Sequence, residues 1–326
     1  MITKRGLLAA GAVLAISSAS SMAQTKTVVV YTAHHSFIVD TMVPIFEKET
    51  GIKVEVVKAG SGDILRRVKA EARTPRADVI WSVGAESLDD NKDILAAYTP
   101  KGYEAVDARF KVSPEWQPYT AYLNVVIANT QQVPEAQRPK SWADLSDPKW
   151  KGKVVSAKAE SSGSAFAQYA TILYAFGDKG FDAYQKLFNN FQLIDSSGAV
   201  PRFVNDGEAP FGITLEDSAL EYVKGGGKIA IIYPSEGVSM LPDGIALVKG
   251  GPNAESGKAF IDWALSKSTQ EALVEKIGRR SVRTDVAGPS ALPSISAIKL
   301  VGYDVANAAR NQKDWIAKWR EMQRAR

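Results

Sequence analysis

Three short segments combine serine hydroxyl groups with glycine at positions where the sequence predicts a helix to begin. They are Ser61-Gly62, Ser161-Ser162-Gly163-Ser164 and Ser196-Ser197-Gly198. Unpaired backbone N–H groups and the helix dipole make such positions suitable for a phosphate, a phosphonate or a carboxylate, and glycine lets the backbone approach a ligand closely. Capping alone explains any one of these serines. Three such segments after predicted strands indicate an anion site, because open α/β sheets bind ligands there.

The acidic pair Glu216 and Asp217 indicates what the rest of the ligand carries. Two carboxylates beside a cleft can accept hydrogen bonds from sugar hydroxyls or pair with an ammonium group. The same acids at a helix start also complement the helix dipole without any ligand, and the sequence leaves both interpretations open. We therefore expect an anionic head joined to a donor-rich tail, as in a phosphorylated sugar or an aminoalkyl phosphonate.

Loops after other predicted strands supply the remaining candidates for ligand binding. His34, His35 and Ser36 follow the first strand, and we expect one histidine to contact the ligand while the other packs or faces water. Adjacent histidines in a strand point to opposite faces, so a histidine metal site is not expected. The other candidates are Ser82 after the third strand, beside Trp81 as a stacking face or core residue, Thr214 at the end of a late strand, and Glu236, whose neighbour Gly237 also suits a hinge.

The elements that position these residues alternate short β-branched strands with amphipathic helices. The first half predicts strands at 28–32, 52–58 and 78–81 and helices at 36–50 and 64–73. The second half predicts strands at 153–155, 191–194 and 209–214 and helices at 164–176, 181–188 and 200–206. The chain then returns through 229–233 to a strand at 244–248 and helices at 255–266, 269–277 and 305–323. This order implies an α/β fold with mostly parallel sheets and helices on both faces.

The N-terminal segment predicts export. Lys4 and Arg5 precede an apolar run at 6–16, and Ser21-Met22-Ala23 matches the small-x-small pattern of a cleavage site. The run is shorter than the roughly 20 residues that a spanning helix needs. We expect residues 1–23 to be a cleaved signal peptide and the mature chain to lie in the periplasm; an uncleaved anchor is the alternative.

Composition excludes several classes of function. The 326 residues include no cysteine, which excludes disulfides, thiol nucleophiles, cysteine-bound metals and a lipoprotein anchor. The 40 basic and 36 acidic residues are spread along the chain, so no nucleic-acid partner is expected. The chain has neither a G-x-S-x-G elbow nor ligands spaced for zinc. We therefore expect a protein that is not an enzyme, with no catalytic residues, no metal and no cofactor.

One pair of neighbouring motifs resembles a known family. Residues 139–145 and 147–154, which read PKSWADL and DPKWKGKV, resemble a signature of periplasmic binding proteins, in particular the iron-type group of bacterial extracellular solute-binding proteins. Further similar stretches are 31–35, 46–54, 75–79, 242–250 and 259–266. The resemblance runs from about residue 28 to about residue 285.

This resemblance implies a type II binding-protein fold, with two α/β lobes joined by two crossover strands and a ligand in the cleft between them. We expect lobe 1 to comprise 24–124 plus 238–326 and lobe 2 to comprise 125–237, with crossovers near 122–126 and 231–237. The resemblance also implies a monomer that closes on its ligand by hinge motion and presents it to an inner-membrane ABC permease. A sensory protein that docks on a receptor kinase, or an enzyme on the same scaffold, are the alternatives.

Ferric-binding members of this group hold iron through a consecutive Tyr-Tyr pair in the second lobe. The chain contains no such pair, and the corresponding strand is followed instead by 214–218, TLEDS. Tyr222 lies further into the next helix and is interpreted as a packing or surface residue. Because relatives that bind hexose phosphates and aminoethylphosphonate resemble the chain around this strand, a phosphorylated sugar or a phosphonate is the expected ligand. Ferric iron is the alternative.

Overall fold

The computed structural model describes residues 26–111 and 113–326, so the predicted signal peptide lies outside the described residues. The strands are β1 Thr27–Thr32, β2 Lys53–Lys58, β3 Val79–Gly84, β4 Leu95–Ala96, β5 Gln117–Asn129, β6 Val154–Ala157, β7 Phe191–Ile194, β8 Phe211–Leu215, β9 Ile229–Ile232, β10 Met240–Val248 and β11 Arg280–Ser281. The helices are α1 Ser36–Thr50, α2 Ser61–Ala70, α3 Ala85–Asp89, α4 Gly163–Phe176, α5 Gly180–Phe188, α6 Val200–Asn205, α7 Glu216–Lys224, α8 Ala254–Leu265, α9 Lys267–Ala272 and α10 Val305–Arg324. The α/β organisation predicted from the sequence is confirmed. Within the described ranges, every helix is too short or too polar to cross a membrane.

The strands are hydrogen-bonded in the order β2-β1-β3-β10-β5-β8-β6-β7, with β4, β9 and β11 beside this path. β1 pairs in parallel with β2 and β3, and β6 pairs in parallel with β7 and β8. β10 is antiparallel to both β3 and β5. Parallel strands end at one edge of their sheet, so the loops that begin there are brought together in each half.

The 13-residue strand β5 is buried along its whole length and belongs to both halves of this arrangement. It pairs with β10 up to Leu123 and with β8 and β9 from Asn124 onward. The sequence predicts the first crossover at 122–126, where these partners change. The second predicted crossover, 231–237, contains the end of β9 and most of the segment that leads to β10.

Large side chains form separate clusters, to which the first and the second part of β5 each contribute. Phe46, Trp81 and Phe260 belong to one cluster, whereas Tyr184 belongs to another. Trp319 of α10 packs in the second cluster, with its Nε1 3.2 Å from the Tyr184 hydroxyl oxygen. The predicted boundaries assign α10 to lobe 1. Trp319 of this helix packs on residues of the predicted lobe 2, whereas its Gln312 Nε2 donates to Ser87 Oγ of the predicted lobe 1 at 3.0 Å. The lobe boundaries stay a prediction.

Local sequence explains why α1 begins next to the end of β1. His35 precedes the helix in an extended conformation, with φ −65° and ψ 151°. The helix ends at Gly51, whose φ of 69° is left-handed and whose N–H donates to the Glu47 carbonyl oxygen at 2.9 Å. Only three residues, 33–35, separate the end of β1 from the start of α1, so the start of this helix lies beside the end of the strand.

Candidate functional site

A pocket of about 780 Å³ lies where the loops of the two halves face each other. Its wall includes the start of α1, the start of α2, the end of β3, the start of α4 and the turn before α6. The predicted site residues that line it are His34, His35, Ser36, Ser61, Ser82, Ser161, Ser162, Gly163, Ser164, Ser196 and Ser197. Gly62, Thr214, Glu216, Asp217 and Glu236 do not line it.

Three helix N-termini contribute to this wall. α1 and α2 begin after His35 and Gly60, and neither helix has a side chain hydrogen-bonded as a cap. α4 begins after Ser162, whose Oγ accepts a hydrogen bond from Ala165 N at 3.3 Å. The first N–H groups of a helix have no partner inside the helix and carry the positive end of its dipole. Their convergence on one pocket favours an anionic ligand group.

Three serine hydroxyl groups from distant parts of the chain meet in the pocket. Ser164 Oγ lies 2.6 Å from Ser197 Oγ, and Ser162 Oγ lies 3.1 Å from Ser164 Oγ. The Thr214 hydroxyl, outside the pocket lining, donates a hydrogen bond to the Ser197 carbonyl oxygen at 2.9 Å. Ser162 thus caps α4 and also belongs to the hydroxyl cluster, while its predicted role in ligand binding stays a prediction.

Glycine allows two close contacts between the start of α2 and the start of α4. A Cβ at Gly60 would lie 2.6 Å from the Ser161 carbonyl oxygen, and a Cβ at Gly163 would lie 2.8 Å from Ser61 Oγ. Since real Cβ atoms do not approach other atoms so closely, Gly60 is required beside the backbone of Ser161, whereas a Cβ at Gly163 would make the Ser61 hydroxyl shift. The β2–α2 loop and the start of α4 are therefore in direct contact.

The two histidines have different environments. His34 is 3% exposed, is hydrogen-bonded to the Tyr119 hydroxyl, and meets the Trp81 ring edge-on at 4.5 Å. Burial, with smaller contributions from Arg279 and His35, holds the pKa of His34 well below its usual range. Its Nδ1 has no hydrogen-bond partner in the described chain.

His35 crosses the pocket instead of packing under it. Its Nδ1 lies 2.8 Å from Ser218 Oγ. Burial lowers the pKa of His35 to about 4, although Asp217 acts in the opposite direction. Both imidazoles are therefore neutral at pH 7 and offer hydrogen bonds rather than positive charge.

Arg279 lines the pocket and was missed by sequence reasoning. It is 2% exposed, and its Nε and Nη1 donate to Asp217 Oδ2 at 2.9 Å and Asp243 Oδ2 at 3.0 Å. The next residue, Arg280, donates to both carboxylate oxygens of Glu216 at 2.8 Å. The adjacent arginines were the available sequence signal, but nothing local shows that they are buried.

These ion pairs correct the expected role of the acidic pair. Of the two interpretations left open by the sequence, one has Glu216 and Asp217 facing ligand hydroxyls or an ammonium; instead, their carboxylates pair with Arg280 and Arg279. Burial of an unpaired carboxylate is costly, and each of the two carboxylates is paired with an arginine from another part of the chain. Glu216 also accepts a hydrogen bond from the Tyr233 hydroxyl at 2.5 Å.

Glu236 and Gly62 also lie away from the pocket lining. The Glu236 carboxylate accepts hydrogen bonds from Trp142 N at 2.9 Å and Ala143 N at 3.0 Å. It therefore caps the turn at 143–146, whose backbone N–H groups need an acceptor. Gly62 lies within the first turn of α2, one residue beyond the lining residue Ser61.

Ser82 combines pocket lining with an unusual backbone conformation. Its φ is 65°, and among the described residues it is the one non-glycine residue with positive φ. Its hydroxyl donates to Asp243 Oδ2 at 2.7 Å. Its neighbour Trp81 is 1% exposed and packs against Phe260 as a core residue. Strain of this kind is held by the surrounding structure and concentrates at functional sites.

The pocket lining offers weak donors for ferric iron. Tyr122 and Tyr222 line it, and Tyr222, interpreted from the sequence as a packing or surface residue, also packs against the second hydrophobic cluster. Burial, followed by Glu86 and Asp243, raises the pKa of Tyr122 well above its usual value. A raised pKa disfavours the phenolate that a hard cation requires. The described residues contain no group of three histidines, cysteines or acids placed to hold a metal.

Comparison with known proteins agrees with this fold. The family model for "Bacterial extracellular solute-binding protein" matches residues 41–298. A putative 2-aminoethylphosphonate-binding periplasmic protein of Salmonella paratyphi A is 30% identical over 74% of this chain and 73% of its own length. An Fe(3+)-binding periplasmic protein of Serratia marcescens is 28% identical over 82% and 81%. The structure of the periplasmic binding protein AfuA from Actinobacillus pleuropneumoniae, with fructose-6-phosphate bound, has a TM-score of 0.86 and 25% identity, and covers 91% of this chain and 98% of that one.

Proposed function

The chain belongs to the family of bacterial extracellular solute-binding proteins. We propose that its pocket captures a small anionic organic ligand, a phosphorylated sugar or a phosphonate. As a periplasmic solute-binding protein of the ABC type, it is a transport protein and not an enzyme. Proteins of this family deliver small ligands to ABC permeases. We further propose that residues 1–23 are a cleaved signal peptide and that the mature protein is a monomer with lobes at 24–124 plus 238–326 and 125–237.

The serine cluster at the start of α4 carries the proposal. Ser162, Ser164 and Ser197 place three hydroxyl groups beside a helix N-terminus in the pocket. Lys58, which also lines the pocket, donates to the Ser36 hydroxyl and adds a positive charge. Hydroxyl groups, free amides and one ammonium form the donor set that a phosphate or phosphonate accepts. The Salmonella relative and the sugar-phosphate-bound structure support the same class of ligand.

A thermal-shift panel tests this proposal with a hexose 6-phosphate, 2-aminoethylphosphonate and inorganic phosphate. A ligand at about 100 times its dissociation constant adds roughly 2.7 kcal/mol to the free energy of unfolding. Ser164→Ala and Ser197→Ala are each expected to weaken binding by about tenfold or more, since a hydrogen bond to a charged group is worth about 1.5–3 kcal/mol. Ser290→Ala, at an exposed position outside the pocket, is the control. The proposal fails if none of the three compounds raises the melting temperature.

Ferric iron is the second candidate, favoured by the Serratia relative. Its test is a titration of the purified protein with ferric salt. Because the chain has no consecutive Tyr-Tyr pair, we expect no phenolate-to-iron absorption band. A coloured, stoichiometric iron complex would replace the phosphate proposal.

A further inference from the structure

Asp243 has one carboxylate oxygen that the ion pairs described above leave free. The residue is 4% exposed and lines the pocket. Its Oδ2 accepts hydrogen bonds from Ser82 Oγ at 2.7 Å and Arg279 Nη1 at 3.0 Å. Within the described part of the chain, Oδ1 has no such partner. Ser82 and Arg279 therefore fix the carboxylate and leave one acceptor for a ligand.

Hydrogen-bond donors lie next to this acceptor. Arg279 uses Nε for Asp217 and Nη1 for Asp243, which leaves Nη2 without a partner among the described residues. The Arg279 guanidinium carbon lies 5.9 Å from the centre of the Tyr122 ring, and the Tyr122 hydroxyl is likewise free of described partners. We call Ser82, Tyr122, Asp243 and Arg279 the inner polar cluster. It presents an acceptor beside two donors.

We infer that the inner polar cluster holds neighbouring hydroxyl groups of the ligand, so that the ligand is a phosphorylated sugar rather than an aminoalkyl phosphonate. This inference rests on the proposed anion site. A hydroxyl group both donates and accepts, so it can donate to Asp243 Oδ1 and accept from Arg279 or Tyr122. An ammonium group only donates, so beside Asp243 it would leave the Arg279 Nη2 and Tyr122 hydroxyl donors without an acceptor.

Two further observations support a role in recognition. Ser82 keeps its side chain at a φ of 65°, where glycine would cost less, and that side chain fixes Asp243. The pocket volume of about 780 Å³ lies within the range of sites that enclose whole small molecules. A sugar ring therefore has room beside the serine cluster.

The test is calorimetric titration of the full protein and of Asp243→Asn with a hexose 6-phosphate, 2-aminoethylphosphonate and inorganic phosphate. We expect the wild-type protein to prefer the sugar phosphate. Asp243→Asn should weaken sugar-phosphate binding by about tenfold or more, with inorganic phosphate affinity changed less than about threefold, because the serine cluster is untouched. Ser82→Gly relieves the backbone strain and removes the hydroxyl that fixes Asp243, and it serves as the second variant should Asp243→Asn fold poorly.

The outcomes separate the two proposals. Tighter binding of 2-aminoethylphosphonate than of the sugar phosphate, or an equal loss of all three compounds in both variants, overturns the inference while the anion site stands. If the wild-type protein binds none of the three, the proposed function itself fails. Retained inorganic phosphate binding in the variants shows that they are folded.

Discussion

The His35 imidazole reaches across the pocket to α7, where its Nδ1 lies 2.8 Å from Ser218 Oγ. The same ring faces Gly198, where a Cβ would lie 2.4 Å from the imidazole Cδ2. His35 precedes α1, whereas Ser218 and Gly198 follow strands of the other half. The imidazole therefore joins the two walls of the pocket in the arrangement described here.

Gly198→Ala is expected to weaken binding of a hexose 6-phosphate by about tenfold, because overpacking costs about 1–3 kcal/mol and is felt only when the two walls are together. Gly302→Ala is the matched control, since a Cβ there meets nothing within 4 Å. Calorimetric titration of both variants measures the effect. Equal affinities would show that the contact between His35 and Gly198 is unimportant for ligand binding.

Acid is expected to destabilise the folded protein through His35. Its pKa is about 4 in the folded protein and near 6.5 in an unfolded chain. As the pH falls from about 6.5 toward 4, the unfolded chain takes up a proton that the folded protein excludes, so stability is lost across this window. Melting temperatures between pH 7.5 and 4.5 measure the loss.

His35→Gln provides the control for this pH dependence, because glutamine keeps hydrogen-bonding atoms but does not titrate. The pKa of His34 is also lowered, and its contribution remains in both proteins. The variant should therefore lose less stability than the wild type over the same range. Parallel pH profiles would contradict the assignment to His35.

The buried pair of Arg280 and Glu216 is expected to be costly to break. Arg280→Met leaves a buried carboxylate without its partner, which should lower the free energy of unfolding by about 3–5 kcal/mol. Arg66→Met removes an exposed ion pair and should change it by less than about 1 kcal/mol. Urea unfolding compares the two. The double variant Glu216→Leu with Arg280→Met should lose less than Arg280→Met alone; a larger loss would count against charge burial as the cause.

Glu236 and Ser164 are expected to separate stability from binding. Glu236→Ala removes the acceptor of two backbone N–H groups and should lower the free energy of unfolding by about 1 kcal/mol, with ligand affinity unchanged. Ser164→Ala should lower the ligand affinity and leave the free energy of unfolding nearly unchanged. Unfolding curves and titrations on both variants provide the measurement. A loss of ligand affinity in Glu236→Ala would indicate that Glu236 contributes to ligand binding.

The sequence determined the local structure that builds the pocket. Apolar periodicity predicted α1 at 36–50 and α4 at 164–176, against Ser36–Thr50 and Gly163–Phe176 in the structure. Serine and glycine at predicted helix starts belong to segments that line one pocket, and their role in ligand binding stays a prediction. These features depend on backbone geometry and neighbouring residues, so the order of amino acids contains them.

Only the tertiary structure decided which charges meet. Glu216 and Asp217 looked available in the sequence, but they pair with arginines 64 and 62 positions away. Asp243 meets Ser82 across 161 positions, and that contact turns an ordinary strand residue into a candidate ligand acceptor. Burial compels each carboxylate to find a partner. Which partner it finds depends on how β3, β10 and β11 are brought beside α7, and no local pattern specifies that arrangement.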